Sequence, residues 1–157
     1  MIPNPTLFER ERGVTEIAVR NDLTHLAIAC DSDGRLRALR ALAAGDVPLF
    51  LLKLAPDGFR CVVRSANADA AASVVLNAGF ALTRTDRVAM VSTIAGTMRD
   101  LSGVMARICD VLIEARISVL QTGDAYDAVH CLVSEADAPG AVEALRRTFG
   151  IDAGGNS

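Results

Sequence analysis

The sequence predicts an α+β fold built from two copies of one βαββαβ module, and two observations support this. Apolar residues follow one helical face around Gly34, and the same pattern recurs 69 positions later around Gly103. Strand-like runs with period-two alternation lie before and after both helices. The two patterns comprise Gly34, Leu36, Leu39, Leu42, Ala43 and Gly103, Met105, Ile108, Val111, Leu112. A spacing of this length corresponds to one repeated supersecondary unit.

The first module is predicted to begin with two strands and a helix. Val14–Arg20 and Leu23–Cys30 alternate as strands do, and the turn-prone pair Asn21–Asp22 separates them. Ser32 is placed to cap the helix that follows. Gly45 is placed to end that helix with a positive φ.

The rest of the first module is predicted as a hairpin, a helix and a closing strand. Pro56 fixes φ in the hairpin turn, and Gly58 accepts a left-handed bend there. Gly79 stops the helix. These elements are strands at 47–54 and 58–64, a helix at 68–78 and a strand at 80–85.

The second module repeats the order but has no room for its closing strand. Its predicted elements are a strand at 87–94, a helix at 101–115, strands near 117–122 and 126–133, and a helix at 138–149. The first half of the chain, in contrast, has one strand too many. We therefore predict that Val14–Arg20 completes the sheet of the second module, so that the first module is inserted within the second.

Composition favours a soluble cytoplasmic protein that binds neither nucleic acid nor membranes. Charges interrupt every apolar run well before the length of a spanning helix, and the first residues lack the apolar region of a secretory signal. The net charge of −3 provides no field to attract a polyanion. Arg35, Arg37 and Arg40 are interpreted as the solvated face of the first helix.

No motif predicts catalysis, a cofactor or a metal. The chain has no P-loop, GxGxxG or GxSxG sequence, and His25 and His130 lie in separate strands. Cys30, Cys61, Cys109 and Cys131 lack the spacing of zinc ligands or of a redox pair. We expect these cysteines to be buried as small apolar side chains.

Two loops that lead from a strand into a helix are the candidate binding sites. They are Cys30–Gly34 and Gly96–Gly103. A helix N-terminus receives a carboxylate well, and Asp31 or Asp33 could bind an ammonium group, so a free amino acid fits both charges. The alternative is purely structural, with helix caps at Ser32, Asp33 and Asp100 and turn glycines at Gly34 and Gly103.

Three segments resemble the tandem ACT domains of the regulatory region of aspartokinases. Arg87–Ile94, followed by Gly96–Val104, is similar to the family segment "kVsvvG.gMr..pGv", and Gly13–Ala18 is similar to the family strand "vtgIa". The resemblance covers residues 13–151 and includes no kinase domain.

The resemblance implies two ferredoxin-like ACT modules, the first inserted within the second, with antiparallel sheets and helices on one face. The expected boundaries are 22–86 for the first module and 13–21 plus 87–151 for the second. Residues 1–12 and 152–157 are expected to be flexible ends.

The resemblance also implies a non-catalytic, allosteric regulatory protein that responds to an amino acid, with lysine or threonine as the family's effectors. It implies a homodimer and a catalytic aspartokinase chain as partners. Carried over by position, and with the second loop added, the ligand-binding residues are Asp31, Ser32, Asp33, Gly34, Lys53, Met98, Arg99, Asp100, Ser102 and Gly103.

Two departures from the family pattern leave a second hypothesis open. This chain has Asp33-Gly34 where the family has Pro-Gly, and Lys53-Leu54 where the family has Gln-Asn. A ligand without those amides loses hydrogen bonds. The alternative is a ligand-free ACT module for dimerisation or partner docking. A third hypothesis, an acetyltransferase suggested by a weak similarity at Ala72–Arg84, is disfavoured because the Gly-rich cofactor loop is missing.

Overall fold

The computed structural model describes residues 13–96 and 101–151. Its strands are β1 (Val14–Ala29), β2 (Phe50–Ala55), β3 (Gly58–Arg64), β4 (Ala81–Ala95), β5 (Gln121–Ala125) and β6 (Ala128–Ser134). Its helices are α1 (Ser32–Ala44), α2 (Ser65–Asn77), α3 (Leu101–Glu114) and α4 (Ala138–Phe149). The predicted α+β class is confirmed. The predicted flexible ends, 1–12 and 152–157, lie outside the described residues.

The strands β1 and β4 are longer than the sequence predicted. Each was expected as two strands, but each continues as a single strand, of 16 and 15 residues. One residue in each adopts a positive φ, Asp22 at 61° and Arg87 at 55°. A single left-handed residue bends a strand as a bulge does, and the strand resumes beyond it. The predicted turn at Asn21–Asp22 is therefore wrong.

The described chain divides into two compact units. The middle unit is Asn21–Val88, and the flanking unit comprises the described residues up to Arg20 together with those from Ala89 onwards. Both boundaries fall inside long strands, so β1 and β4 each contribute one part to each unit.

The strands follow one order, β2-β3-β1-β4-β6-β5. β3 pairs antiparallel with both β1 and β2, and β5 pairs antiparallel with β6. The sequence predicted separate sheets. This prediction is corrected to one six-stranded sheet in the described chain, because β1 and β4 are long enough to take part in both units.

In the middle unit, α1 and α2 cover the core. Alternate residues of a strand point to the same side, and those of β1 and β3 meet small residues of the helices. Alanines at these contacts let the helices lie close to the strands. The buried cluster is Leu26, Ile28, Ala38, Leu42, Phe59, Cys61, Val63, Ala68, Ala71 and Val75.

In the flanking unit, α3 and α4 cover a second core. Val14 and Ile17 of β1 belong to this core. The predicted α4, with Ala141, Val142 and Leu145 buried, is confirmed. The remaining buried members are Ala89, Val91, Ile108, Leu112, Ile117, Val129, Cys131, Val133 and Ala138.

Buried positions on the first helix of each unit recur at an offset of 70 residues and not the predicted 69. On α1 the buried residues are Gly34, Ala38 and Leu42. On α3 they are Ile108 and Leu112, 70 positions after Ala38 and Leu42. The predicted register was wrong because Leu36, which the sequence placed in the core, is 51% exposed.

Backbone hydrogen bonds after α1 and α3 recur with the same offset. Val47 N–H donates to Leu42 O at 3.2 Å, and Ile117 N–H donates to Leu112 O at 2.9 Å. The left-handed residues there are Asp46 and Arg116, with φ of 53° and 59°. Gly45 has a φ of −84°, so the predicted positive φ at Gly45 is wrong and belongs to the next residue.

In each unit an arginine of the first helix stacks on a phenylalanine at or beyond the end of the second helix. The guanidinium carbon of Arg37 lies 5.0 Å from the centroid of the Phe80 ring, and that of Arg107 lies 4.8 Å from the centroid of the Phe149 ring. Arg37 Nη2 donates to Ala78 O at 3.4 Å, and Arg107 Nη2 donates to the Thr148 carbonyl at 3.0 Å. Arg37 is exposed, as predicted for the solvated face of α1, and it also contacts Phe80.

Replacing Gly58 with alanine is expected to destabilise the protein strongly. An ideal Cβ at Gly58 would lie 1.9 Å from the Ile28 carbonyl oxygen, and the φ of this residue is 148°. Backbone clash and strain together are expected to lower the free energy of unfolding by about 3 kcal/mol or more. Urea denaturation measures this loss.

Gly79→Ala is the matched control, because Gly79 has a φ of 91° but no atom within 4 Å of the position that a Cβ would take. Strain alone is expected to lower the free energy of unfolding by about 1 to 2 kcal/mol. Equal losses for the two variants would contradict the backbone clash at Gly58.

Candidate functional site

The first candidate loop is held by a cap that the sequence misassigned. Asp31, and not Ser32, is the N-cap of α1, and its Oδ1 accepts a hydrogen bond from the Gly34 N–H at 2.7 Å. Arg35 N–H donates to Asp31 O at 2.8 Å, which begins the helical ladder. Asp31 Oδ1 and the Gly34 N–H thus satisfy each other without a ligand. The structural alternative expected a cap here but assigned it to Ser32 and Asp33, and that assignment is wrong.

Gly34 is enclosed by its neighbours. A Cβ on this residue would lie 2.8 Å from Phe80 Cε1, 3.0 Å from Asp31 Oδ1 and 3.1 Å from Cys30 Cβ. Glycine is required here for close packing, so its presence is not by itself evidence of ligand approach. Sequence reasoning missed Phe80, because a contact between α1 and the residue before β4 has no local pattern.

Two hydrogen bonds tie the loop to the turn between β2 and β3. The Arg35 guanidinium donates to the Ala55 carbonyl oxygen. The Cys30 N–H donates to the Asp57 carbonyl oxygen at 3.1 Å. The loop is therefore anchored on the hairpin side as well as by its own cap.

The side chains of Asp31, Ser32 and Asp33 are exposed at the start of α1. Two carboxylates here offset the positive end of the helix dipole, so the loop suits an ammonium group better than a carboxylate. Lys53 is also exposed and lies in β2, directly opposite Arg60 of β3. Like charges in directly opposed positions repel, and a bound carboxylate would relieve that repulsion.

The second candidate loop is only partly described. Met98, Arg99 and Asp100 lie outside the described residues. Ser102 is exposed and Gly103 is half-buried in the first turn of α3. A binding role for these residues stays a prediction.

One histidine makes a close polar contact within the flanking unit. His130 Nδ1 lies 2.7 Å from Ser92 Oγ. Ser92 is 6% exposed, so its hydroxyl lies within the sheet and not at the surface of a cleft. The pair is therefore a structural hydrogen bond, as expected for a histidine in a strand.

The four cysteines are free thiols in two different environments. Burial raises the pKa of Cys61 to about 12 and that of Cys131 to about 11, so both thiols stay protonated at neutral pH. Cys109 is exposed and Cys30 is half-buried. The prediction that all four are buried is wrong for these two, because the helix carrying Cys109 turns that residue away from the core.

No group of three or more His, Cys, Asp or Glu side chains within residues 13–96 and 101–151 is placed to hold a metal ion. In the same part of the chain, none of the helices combines the length and the apolar content needed to cross a bilayer.

Residues 83–147 match the family model of the ACT domain. This segment is similar to an ACT domain. The matched segment covers most of β4, all of α3, β5 and β6, and most of α4, and so lies largely in the flanking unit. The identification from the sequence is confirmed.

A curated relative is aspartokinase 1 of Bacillus subtilis, which is 25% identical over 142 residues. The alignment covers 88% of this chain and 35% of the relative, so the chain spans about a third of that protein. The chain is thus similar to one region of a longer aspartokinase.

Two solved structures share the fold. One, of aspartokinase alpha and beta subunits, has a TM-score of 0.81 at 20% identity and covers 88% of this chain and 99% of its own. The other is the ligand-free regulatory subunit of aspartate kinase from Thermus thermophilus, with a TM-score of 0.79 at 15% identity, covering 87% and 97%. The fold of this chain is that of an aspartokinase regulatory subunit.

Replacing Asp31 with alanine is expected to lower the free energy of unfolding by about 1 kcal/mol, because the α1 cap is lost. Ser32→Ala is the control, and its effect is expected to stay within about 0.5 kcal/mol because its hydroxyl does not cap the helix. Urea denaturation of both variants measures the difference. A larger loss for Ser32→Ala would show that the cap is assigned to the wrong residue.

A stability change with pH is expected from His130. Burial lowers its pKa, and the Asp127 carboxylate opposes this shift. A lowered histidine pKa means that the folded state binds fewer protons than the unfolded one. The stability of the folded protein with neutral His130 is complete when the pH is above the pKa of histidine in the unfolded chain, about 6.5. It is lost progressively as the pH falls below that value.

His130→Gln removes this titration. Urea denaturation between about pH 7.5 and pH 5 is expected to show a smaller loss of stability for the variant than for the unaltered protein. If the free energy of unfolding falls with pH in parallel for the two proteins, His130 does not contribute to the pH dependence of stability.

Proposed function

We propose that this chain is a non-catalytic regulatory protein that responds to a free amino acid and acts on a catalytic aspartokinase chain. Its site of action is proposed to be the cytoplasm. The observation that carries the proposal is the anchored Cys30–Gly34 loop within an aspartokinase regulatory fold, with charged side chains exposed beside it. The family resemblance makes lysine and threonine the first effectors to test.

The proposal includes two ACT modules, residues 22–86 inserted within 13–21 plus 87–151. The family match, residues 83–147, overlaps most of the segment 87–151 and so supports the second of these. The middle unit supports the first, because its elements follow the same order and its hydrogen bonds after α1 recur 70 positions later. The paired stacks of Arg37 on Phe80 and Arg107 on Phe149 are a further sign of common descent.

A homodimer is part of the proposal. β2 is the outermost strand at one side of the sheet order, and an outer strand offers unpaired backbone groups to a second copy. Leu52 and Leu54 on this strand are 45% and 58% exposed. Apolar side chains on an open strand favour pairing, which would give a thin module more core.

The proposed effector binds through its two charges. Its ammonium group is placed near Asp33 and the second carboxylate oxygen of Asp31, and its carboxylate near Lys53. Binding acts by favouring one of two arrangements of the dimer, and the size of the response equals the difference in binding free energy between them. Both arrangements therefore have to be compared with and without the effector.

A ligand-free docking module is the second candidate. The observation in its favour is the closed hydrogen bond between Asp31 and Gly34, which needs no ligand to complete it. In this case the exposed β2 edge would be the functional surface. Co-purification of a catalytic chain in equal yield with and without amino acids would support this candidate.

A thermal-shift screen of the full chain against the twenty amino acids tests the first proposal. One or a few of them are expected to raise Tm by several degrees, because a ligand at 100 times its Kd stabilises by about 2.7 kcal/mol. If none raises Tm, amino-acid sensing is excluded.

The variants Asp33→Asn and Lys53→Gln locate the site. Both are expected to lose the shift while keeping the Tm of the free protein, since both side chains are exposed. Asp110→Asn, an exposed carboxylate on α3, is the charge-matched control and is expected to keep the shift. Gly34→Val is unsuitable, because its side chain would meet the Phe80 ring.

A further inference from the structure

We propose that Phe80 is a positioning residue of the effector site, and this inference rests on the proposed amino-acid response. Phe80 does not belong to the Cys30–Gly34 loop, yet its ring edge occupies the space against Gly34. A Cβ on Gly34 would lie 2.8 Å from Phe80 Cε1. The ring therefore fixes the backbone position of Gly34 and, through it, the neighbouring Ser32 and Asp33.

The ring is itself held from more than one side. The Phe80 N–H donates to Val75 O at 3.2 Å, which anchors the residue at the end of α2. The Arg37 guanidinium lies over the ring at 5.0 Å from its centroid. Gly34 and Arg37 are three residues apart on α1 and so lie on one helical face, where both contact the same ring.

The flanking unit shows which part of this arrangement is general. There the Arg107 guanidinium lies 4.8 Å from the centroid of the Phe149 ring, but Phe149 is the last residue of α4, whereas Phe80 lies beyond the end of α2. The position 70 residues after Gly34, however, is Val104, which has a full side chain and is half-buried. A stack of an arginine on a phenylalanine is thus common to both units, and among the described residues the contact of such a ring with the backbone at a helix start is seen at Gly34.

Packing alone already requires a glycine at position 34, because a side chain there would meet the Phe80 ring. A positioning role makes a further demand, namely that removal of the ring changes effector binding as well as stability. The ring lies against the loop whose exposed residues are proposed to bind the effector. Loss of the ring is expected to loosen Gly34 and to move Ser32 and Asp33 away from the ligand.

The test compares Phe80→Leu with Phe149→Leu in the full-length protein. Calorimetric titration uses the amino acid that gives the largest thermal shift with the unaltered chain. Phe80→Leu is expected to weaken binding at least tenfold, whereas Phe149→Leu is expected to stay within twofold of the unaltered protein. Both variants are expected to lower Tm to a similar extent. If the two rings had only a structural role, the two variants would therefore weaken amino-acid binding to the same degree.

Arg37→Lys and Arg107→Lys form a second pair of variants, which keep the positive charge and lose the planar stack on the ring. Because Arg37 is exposed, folding tolerates the change at that position. Arg37→Lys is expected to weaken binding at least threefold and Arg107→Lys to leave it unchanged. This pair decides the matter if Phe80→Leu does not fold.

The inference is overturned if Phe80→Leu binds the amino acid with unchanged affinity. If Phe80→Leu is unfolded, unchanged affinity of Arg37→Lys overturns it instead. In both cases the proposed function stands. Absence of any amino-acid binding by the unaltered protein overturns the proposed function and this inference together. Equal weakening by the substitutions in both units assigns the stack to general stability and also overturns the inference.

Discussion

The continuity of β1 and β4 is the constraint on which the rest of the structure depends. Each strand passes through a unit boundary and ends at a loop that leads into a helix. The Cys30–Gly34 loop follows β1, and the segment containing Ser102 and Gly103 follows β4. A change in the course of either long strand would therefore alter the position of a candidate binding loop.

The sequence predicted the elements whose signals are local. Period-two alternation located most of the strands, although β5 begins at Gln121 and not near Ile117. The apolar face of α4 located its buried residues, because such a pattern reflects one side of an element facing a core. Gly79, with a φ of 91°, follows the end of α2, as expected of a glycine after a helix. The insertion hypothesis came from counting strands and stays a prediction.

The sequence could not reveal features that depend on distant contacts. Ser32 and Asp31 are both good caps, and only the backbone conformation decides between them. The left-handed conformation of Asp46 in place of Gly45 follows from the bond between Val47 and Leu42 that closes α1. The stacking of Arg37 on Phe80 joins residues 43 positions apart, so neither has a neighbour in sequence that signals it.

The bonds that secure the Cys30–Gly34 loop determine how a signal could leave it. Asp31 caps Gly34, Arg35 reaches Ala55 and Cys30 reaches Asp57, so the loop already has its shape before any molecule arrives. Occupancy then removes little conformational entropy. An allosteric response from such a loop has to be a rigid displacement of α1 and the β2–β3 turn as one body, and not the folding of a disordered segment.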